Sequence, residues 1–151
     1  MSVLVRRGTP ADVPVIVEFN RRLAEETENK TLDPEVLTRG VLATMTDPHK
    51  GPYFVAEEAG EVLGQLQITF EWSDWRNGWM WWIQGVYVRE DARRRGTFRA
   101  MYRHVHEAAA ADPDVIGLRL YVEQANARAQ QTYAALGMAP TGYLVLERYP
   151  L

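Results

Sequence analysis

A basic stretch that contains a glycine, Arg93-Arg94-Arg95-Gly96-Thr97-Phe98, lies between two patterned segments of this chain. The segment before it is an apolar run, residues 81–88, which reads Trp-Trp-Ile-Gln-Gly-Val-Tyr-Val and is typical of a strand covered on both faces. After it, apolar residues recur at helical spacing: Phe98, Met101, Tyr102, Val105 and Ala109. The predicted order is therefore a strand, a basic turn and a helix that ends near Ala111.

This order predicts an anion site at the basic turn. The first turn of a helix has free backbone N–H groups and the positive end of the helix dipole. Gly96 lets a ligand approach the backbone, and the arginines add positive charge. Phosphate is the most natural ligand for such a site. The alternative is that the arginines form a run of solvated surface charge.

Length and composition predict one globular domain over residues 1–151. The 46% hydrophobic and 25% charged residues are ordinary for such a domain. The net charge of -3 argues against nucleic acid as a partner. Positive charge is nevertheless clustered within residues 89–103, and this favours a local anion site. The clustered residues are Arg89, Arg93, Arg94, Arg95, Arg99 and Arg103.

Several kinds of chemistry are made improbable by the residues that are absent. There is no cysteine, which excludes disulfides and thiolate nucleophiles, and only Ser2 and Ser73 could serve a serine hydrolase. His104 and His106 do not share a helix face, so we expect no metal site. No stretch is apolar and long enough for a signal peptide or a membrane span, and we therefore expect a cytoplasmic protein without a membrane partner.

Hydrophobic periodicity and breaker residues predict the remaining elements. Strands are predicted at residues 3–6, 53–58, 65–72, 81–88, 115–122 and 141–149. Helices are predicted after Thr9, after Asp33, after the basic turn and after Asn126, with Gly137 closing the last one. The order β-α-α-β-β-β-α-β-α-β predicts an α/β domain with a central mixed sheet flanked by helices. A parallel crossover is expected between the strand ending at Val88 and the strand starting near Val115.

Two motifs in this order resemble those of the GNAT superfamily of N-acetyltransferases. In the acyl-CoA loop of that family, Arg93 and Gly96 match the usual residues, whereas Phe98 replaces a small residue. We expect Phe98 to pack into the core, as its place on the apolar helix face suggests. The second motif is matched by a set spaced along the last helix, Asn126, Ala129, Tyr133 and Gly137. Both motifs lie in the last two thirds of the chain, and the element order extends the resemblance over nearly all of it.

The resemblance implies an acyl-CoA site, with acetyl-CoA as a co-substrate. The implied cofactor-binding residues are Val86, Tyr87, Val88, Arg93, Arg94, Arg95, Gly96, Thr97, Phe98, Asn126 and Tyr133. In the family, a main-chain N–H on the strand before the loop polarises the thioester carbonyl, and Val86 is the candidate here. The family also places Tyr133 near the CoA sulfur, where its hydroxyl protonates the leaving thiolate. The alternative for Tyr133 is a core aromatic residue.

The residue that accepts the amine proton is left open by the sequence. Some family members use a glutamate on the strand before the loop, where this chain has Gln84. Gln84 could orient a water molecule, and Glu71, Asp74 and Glu123 are candidates for the base. The alternative for these three acidic residues is that each is an exposed carboxylate on the surface.

The acceptor amine is expected to contact acidic and aromatic residues, and we predict a set of five: Glu26, Trp72, Asp74, Trp82 and Glu123. Five tryptophans fall within eleven residues, at positions 72, 75, 79, 81 and 82. Two of them fit inward positions on strands. The others favour either an acceptor pocket or a contact between the subunits of a homodimer.

The resulting prediction is an N-acetyltransferase that acts on a primary amine, in a small molecule or at an amino terminus. Transfer would be direct in a ternary complex, because no cysteine is available to form an acyl-enzyme. The alternative is a non-catalytic acyl-CoA-binding or regulatory module with the same fold.

Overall fold

The computed structural model describes residues 2–151, in two compact units: one ends at Leu120 and the other is formed by Tyr121–Leu151. The larger unit contains strands β1 (Leu4–Arg7), β2 (Tyr53–Glu58), β3 (Glu61–Ser73), β4 (Gly78–Val88) and β5 (Val115–Leu120). Its helices are α1 (Val13–Glu28), α2 (Pro34–Thr46) and α3 (Thr97–Ala111), and the smaller unit contains α4 (Ala127–Ala135). Three short 3-10 turns lie at Pro10–Asp12, Pro48–Lys50 and Glu90–Ala92.

The sheet of the larger unit has five strands in the order β1-β2-β3-β4-β5. The first four strands pair antiparallel, and β5 pairs parallel with β4. Helix α3 is the crossover between the two parallel strands, as such a connection requires. The predicted mixed sheet flanked by helices is therefore confirmed.

Helices α1 and α3 cover opposite faces of this sheet. On β3, Gln65 reaches Asn20 of α1 with a hydrogen bond, whereas the neighbouring Gly64 faces Met101 of α3. Because successive residues of a strand point to opposite faces, the two helices lie on different sides. Their apolar faces and the inward residues of the strands form the core, in which the largest fully buried apolar side chains are Ile16, Val55, Leu66, Ile68, Ile83, Met101 and Val105.

The helical pattern after the basic turn is confirmed for four of its five residues. Met101, Tyr102, Val105 and Ala109 are buried, but Phe98 is only half-buried and packs beside Tyr102, with ring centroids 6.2 Å apart. The expectation that Phe98 belongs to the core was therefore wrong.

Thr97 lies in the core instead, as the first residue of α3. Its hydroxyl donates to the Ala92 carbonyl at 3.1 Å, which satisfies its polar atom inside the protein. Gly64 of β3 leaves room for its methyl group, since a Cβ at Gly64 would lie 3.4 Å from Thr97 Cγ2.

Two of the predicted strands were wrong in whole or in part. The strand predicted at residues 115–122 ends at Leu120, and residues 141–149 form no strand within the described chain. Apolar residues that are common in strands give a segment a preference for extended backbone, but a strand also needs a neighbour for its hydrogen bonds. That neighbour is not specified by local sequence.

The predicted helix boundaries largely hold. Asp33 caps α2 by accepting from the backbone N–H of Glu35, and Gly137 follows α4 with a φ of +90°. Thr9 and Pro10 open the 3-10 turn at Pro10–Asp12, and α1 starts only after that turn.

One partly buried ion pair joins β1 to this turn and carries a prediction about stability. Arg6 donates to both oxygens of Asp12, at 2.8 and 3.0 Å, and Asp12 also accepts from the Thr9 N–H at 2.7 Å. The hydrogen bonds from Arg6 are the largest cause that lowers the pKa of Asp12. The ionised carboxylate therefore stabilises the fold above the ordinary aspartate pKa of about 3.9, and this contribution is lost as pH falls through the lowered value.

We expect Asp12→Asn to lower the free energy of unfolding at pH 7 by about 2 kcal/mol, since it removes a buried charged acceptor. The difference from the parent protein should shrink as the pH is lowered below about 3.9. Urea unfolding of both proteins at several pH values measures this difference in the free energy of unfolding. Glu61→Gln is the control, because its contact with Arg89 is exposed and is worth about 0.5 kcal/mol or less. A difference between Asp12→Asn and the parent that grows on acidification would contradict this assignment.

Candidate active site

The basic turn forms between the 3-10 turn at Glu90–Ala92 and the start of α3. Arg94 and Gly96 both adopt left-handed backbone conformations, with φ of +63° and +83°, and Gly96 is the N-cap of α3. Thr97 fixes the end of the turn through its bond to Ala92. A Cβ placed on Gly96 would meet no atom within 4 Å, so the turn opens to solvent at this residue.

The turn presents a series of backbone N–H groups. Within the described residues, no backbone carbonyl accepts from the amides of residues 94–99, and no side chain caps the helix. Successive free backbone N–H groups at the start of a helix form a donor site for anions. The dipole of α3, a helix of 15 residues, adds to its positive potential.

The three arginines of the turn have different contacts. Arg93 donates to the Val88 carbonyl at 2.8 Å and to Glu26 of α1 at 2.8 Å, and its guanidinium lies 5.3 Å from the centroid of the Tyr87 ring. Arg95 pairs with Glu58 at 3.2 Å. Arg94 is exposed and makes no ion pair with any described residue. Arg94 is therefore the arginine of the turn most open to a further anion.

Strand β4 has a free edge directly before this turn. Its parallel pairing with β5 ends at Ile83 and Leu120, so residues 84–88 have no strand partner on that side within the described sheet. On the other side, β3 pairs with β4 as far as Val88. The free edge is thus held rigidly by β3 and leads into the open amides of the turn.

A bulge shapes the backbone at this edge. Gln65 of β3 pairs with Tyr87 and Gln67 pairs with Gln84, so two residues of β4, Gly85 and Val86, oppose one residue of β3. Gly85 has a φ of +59°, the left-handed conformation that such a bulge requires. Bulges redirect the backbone groups next to them, and here the redirected groups belong to the free edge.

A buried polar network holds the bulge. The Gln65 side chain is fully buried, and its Nε2 donates to the Gly85 carbonyl at 3.0 Å and to Asn20 Oδ1 at 3.1 Å. Asn20 in turn donates to the Tyr53 hydroxyl at 3.0 Å. Helix α1 and strands β2, β3 and β4 are therefore tied together at the bulge.

Polar residues continue along the α1 face of the sheet beyond the bulge. Gln84 donates to the Thr69 hydroxyl at 2.6 Å. Glu71 accepts from Trp82 Nε1 at 3.1 Å and from Arg119 at 3.0 Å, and Arg119 lies 5.9 Å from the Trp82 ring. Two of the predicted site residues, Glu71 and Trp82, are therefore in contact, and Gln84 lies on the same face of the sheet.

Other predicted residues lie elsewhere in the larger unit. Trp72 pairs with Trp79 across the two strands, and their rings pack edge to face at 5.0 Å on the face opposite to Gln84. Asp74 is in the turn between β3 and β4, next to Trp75, which is 87% exposed. Glu26 contacts Arg93 and the Tyr87 hydroxyl. No tryptophan is buried, although Trp81 and Trp82 are half-buried.

The smaller unit carries the second motif. Asn126 caps α4 by accepting from the Ala129 N–H at 3.0 Å, and Tyr133 lies two turns further along the same helix. Tyr133 is half-buried, and this burial raises the pKa of its phenol. Glu123 is exposed in the turn before the helix.

A family model for the acetyltransferase (GNAT) family matches residues 16–138. The chain belongs to the GNAT acetyltransferase family. The matched range includes the bulge, the basic turn and α4. No curated protein sequence matches the chain.

Solved structures agree with membership of the GNAT family. A possible acetyltransferase from Clostridium difficile 630 is 40% identical, with a TM-score of 0.93 over 100% of this chain and 99% of that one. A predicted acetyltransferase with acetyl-CoA from Clostridium acetobutylicum is 18% identical, with a TM-score of 0.75 over 97% and 96% of the two chains. A transcriptional regulator from Bacillus halodurans C-125 is 21% identical, with a TM-score of 0.82 over 98% and 100%. The last two likenesses concern the fold alone.

Two further observations concern residues 2–151 of this GNAT protein. No group of three or more histidine, aspartate or glutamate side chains is placed to hold a metal ion. None of the helices described is sufficiently long and apolar to cross a bilayer.

The residues that support the site were not predicted from the sequence. Gly85 carried a local signal, since an isolated glycine within a strand pattern is typical of a bulge. Gln65 and Asn20 carried none, because their contact joins residues 45 positions apart. Arg119 was likewise missed, and its partner Glu71 is 48 positions away.

Proposed function

We propose that this protein transfers an acetyl group from acetyl-CoA to a primary amine, directly and within a ternary complex. The observation that carries this proposal is the free edge at residues 84–88, which leads into the open amides of residues 94–99. The acceptor would be a small-molecule amine or an amino terminus.

The chemistry of the donor supports the proposal. A pantetheine arm contains amides and is extended, so it would bind to the free edge of β4 like an added strand. The pyrophosphate would accept hydrogen bonds from the amides of the turn, and Arg94 would supply a further charge. Glu26 fixes the position of Arg93 and neutralises it, so we assign Arg93 to shaping the turn as well as to binding.

The reaction then requires three events at the thioester. The neutral amine nitrogen attacks the carbonyl carbon, and negative charge develops on the carbonyl oxygen. We propose that the main-chain N–H of Val86, next to the Gly85 bulge, donates to this oxygen. When the tetrahedral intermediate collapses, the C–S bond breaks and Tyr133 donates its proton to the thiolate. A tyrosine whose pKa is raised by burial keeps that proton at neutral pH.

The amine must also lose a proton. Gln84 cannot accept one, but it is fixed by Thr69 and would orient a water molecule that carries the proton away. Glu71 already accepts hydrogen bonds from Trp82 and Arg119. This arrangement favours a structural role, in which Glu71 fixes the two side chains on the face that meets the acceptor. Trp82 would then form part of the wall against the acceptor.

The release of free CoA thiol from acetyl-CoA tests this function. We expect release to depend on an added amine and to rise with pH as the amine loses its proton. A panel of polyamines, amino acids and peptides with free amino termini would identify the acceptor class. Saturable binding of acetyl-CoA without amine-dependent release across the panel would contradict the enzyme and favour a non-catalytic binding module.

A further inference from the structure

Gln65 is a buried polar residue whose hydrogen bonding is incomplete. Its side chain is 0% exposed, and its Nε2 donates to the Gly85 carbonyl and to Asn20 Oδ1. Its Oε1 is also buried, and no described residue donates to that atom. An unpaired buried acceptor destabilises a fold, and such a group in a native structure calls for an explanation. The two bonds that Gln65 donates offer one.

The bond from Gln65 to Gly85 fixes the orientation of a single peptide group. The carbonyl of Gly85 and the N–H of Val86 belong to the same peptide, which is trans. In a trans peptide these two groups point in opposite directions within one plane. The bond of 3.0 Å between Gln65 Nε2 and the Gly85 oxygen therefore also sets the direction of the Val86 N–H, which points away from Gln65. In the proposed function, this N–H donates to the thioester oxygen.

The same peptide lacks the usual support of a strand backbone. Gly85 and Val86 together oppose one residue of β3, and such a bulge interrupts the ladder of backbone hydrogen bonds. The pairing of β4 with β5 ends at Ile83, so β5 gives no support at this point. Glycine also has more conformational freedom than other residues. The bond from a fully buried side chain therefore takes the place of the missing backbone support.

The side-chain amide of Gln65 is held in place by two further residues. Asn20 accepts from Gln65 Nε2 at 3.1 Å, and Asn20 Nδ2 donates to the hydroxyl of Tyr53 at 3.0 Å. Tyr53 is itself buried, so the far end of this chain of hydrogen bonds is fixed. Linked hydrogen bonds polarise one another, and a peptide whose carbonyl accepts a bond has a stronger N–H donor. Gln65 thus affects both the direction and the strength of the Val86 donor.

We infer that Gln65 is a positioning residue for acyl transfer and that it acts through the Gly85–Val86 peptide. It directs the Val86 N–H at the thioester oxygen and strengthens this N–H as a donor. The inference rests on the proposed function, because both concern the same thioester. The negative charge on that oxygen develops only as the amine attacks, so Gln65 contributes to the transition state more than to the binding of acetyl-CoA.

The variant Gln65→Met tests this role, since it keeps the length of the side chain and removes both donated bonds. We expect kcat to fall at least about 10-fold, because the oxyanion donor is no longer held in its productive direction. The dissociation constant of acetyl-CoA should change by less than about threefold, which corresponds to well under 1 kcal/mol. An unchanged kcat beside a lowered melting temperature would assign Gln65 to packing alone and overturn the inference.

Gln67→Met is the matched control. Gln67 lies two residues further along β3, on the same face of the strand, and it donates to the Gly51 carbonyl at 3.2 Å. The same substitution there leaves the bulge carbonyl bonded. We expect its kcat to stay within about twofold of the parent value, because the Val86 N–H keeps its direction. A loss of kcat equal to that of Gln65→Met would contradict a specific role for Gln65.

Infrared difference spectra of bound acetyl-CoA, labelled and unlabelled at the carbonyl carbon, report the oxyanion donor directly. Binding to the parent protein should lower the carbonyl stretching frequency, and Gln65→Met should reverse at least about half of that shift. Equal shifts in the two proteins would overturn the inference and leave the proposed function standing. A parent protein that does not bind acetyl-CoA would contradict the proposed function, and the inference would fail with it.

Asn20→Ala is the second variant, and it decides the matter if Gln65→Met does not fold. It removes one of the two acceptors that hold the Gln65 amide, and alanine suits the helical position. We expect kcat to fall about threefold or more and the carbonyl frequency to shift part of the way towards that of free acetyl-CoA. An Asn20→Ala protein with the kcat and the carbonyl frequency of the parent would overturn the inference.

Discussion

Gly96→Glu should raise the dissociation constant of acetyl-CoA by about 100-fold or more. Gly96 has a φ of +83°, and a side chain placed there enters open space beside the amides of the turn. The carboxylate would occupy the position proposed for the pyrophosphate and repel it. A side chain at this left-handed position also strains the backbone, which destabilises the native conformation of the turn by about 1 kcal/mol. Isothermal titration with acetyl-CoA measures the effect.

Gly96→Asn separates charge from strain. Asparagine tolerates the left-handed conformation better than other residues and carries no charge. Its dissociation constant for acetyl-CoA should stay within about fivefold of the parent value, which corresponds to about 1 kcal/mol. Unchanged affinity in Gly96→Glu would remove the turn from the cofactor site.

Tyr133→Phe should lower kcat by about 100-fold, because general acid catalysis typically contributes this much or more. The dissociation constant of acetyl-CoA should change by less than about threefold, since the ring remains. Steady-state kinetics and calorimetry give the two quantities separately. The melting temperature of the variant serves as the check on folding.

The pH dependence of this defect distinguishes a general acid from a packing residue. A thiol has a pKa of about 8.5, so the leaving thiolate needs less protonation as the solution becomes more basic. The ratio of parent kcat to variant kcat should therefore fall towards one above about pH 9. A ratio that stays constant with pH, together with a lowered melting temperature, would assign Tyr133 to packing instead.

The local features of the fold were predictable from the sequence. The buried face of α3, the caps at Asp33 and Gly137 and the strand before the basic turn all follow from patterns within a few residues. The basic turn itself was also predictable, because a strand, a glycine and a helix start must place open amides together. These features needed no knowledge of distant contacts.

The features that were not predictable depend on residues far apart in the chain. Arg93 and Glu26 are 67 positions apart, and their ion pair decides which arginine of the turn remains open. The length of the pairing between β4 and β5 decides where the free edge begins. The apolar run at residues 143–146 favoured a strand, but it did not specify which strand would pair with it. Register and partner choice are set by the whole fold, and local periodicity does not encode them.

Hydrogen exchange with and without saturating acetyl-CoA tests the central claim most directly, because the proposed cofactor contacts are backbone amides. We expect acetyl-CoA to protect the amides of residues 84–88 and 94–99 and to leave those of residues 143–149 unchanged. Protection confined to other parts of the larger unit, or none at saturation, would contradict the proposed acetyl-CoA site.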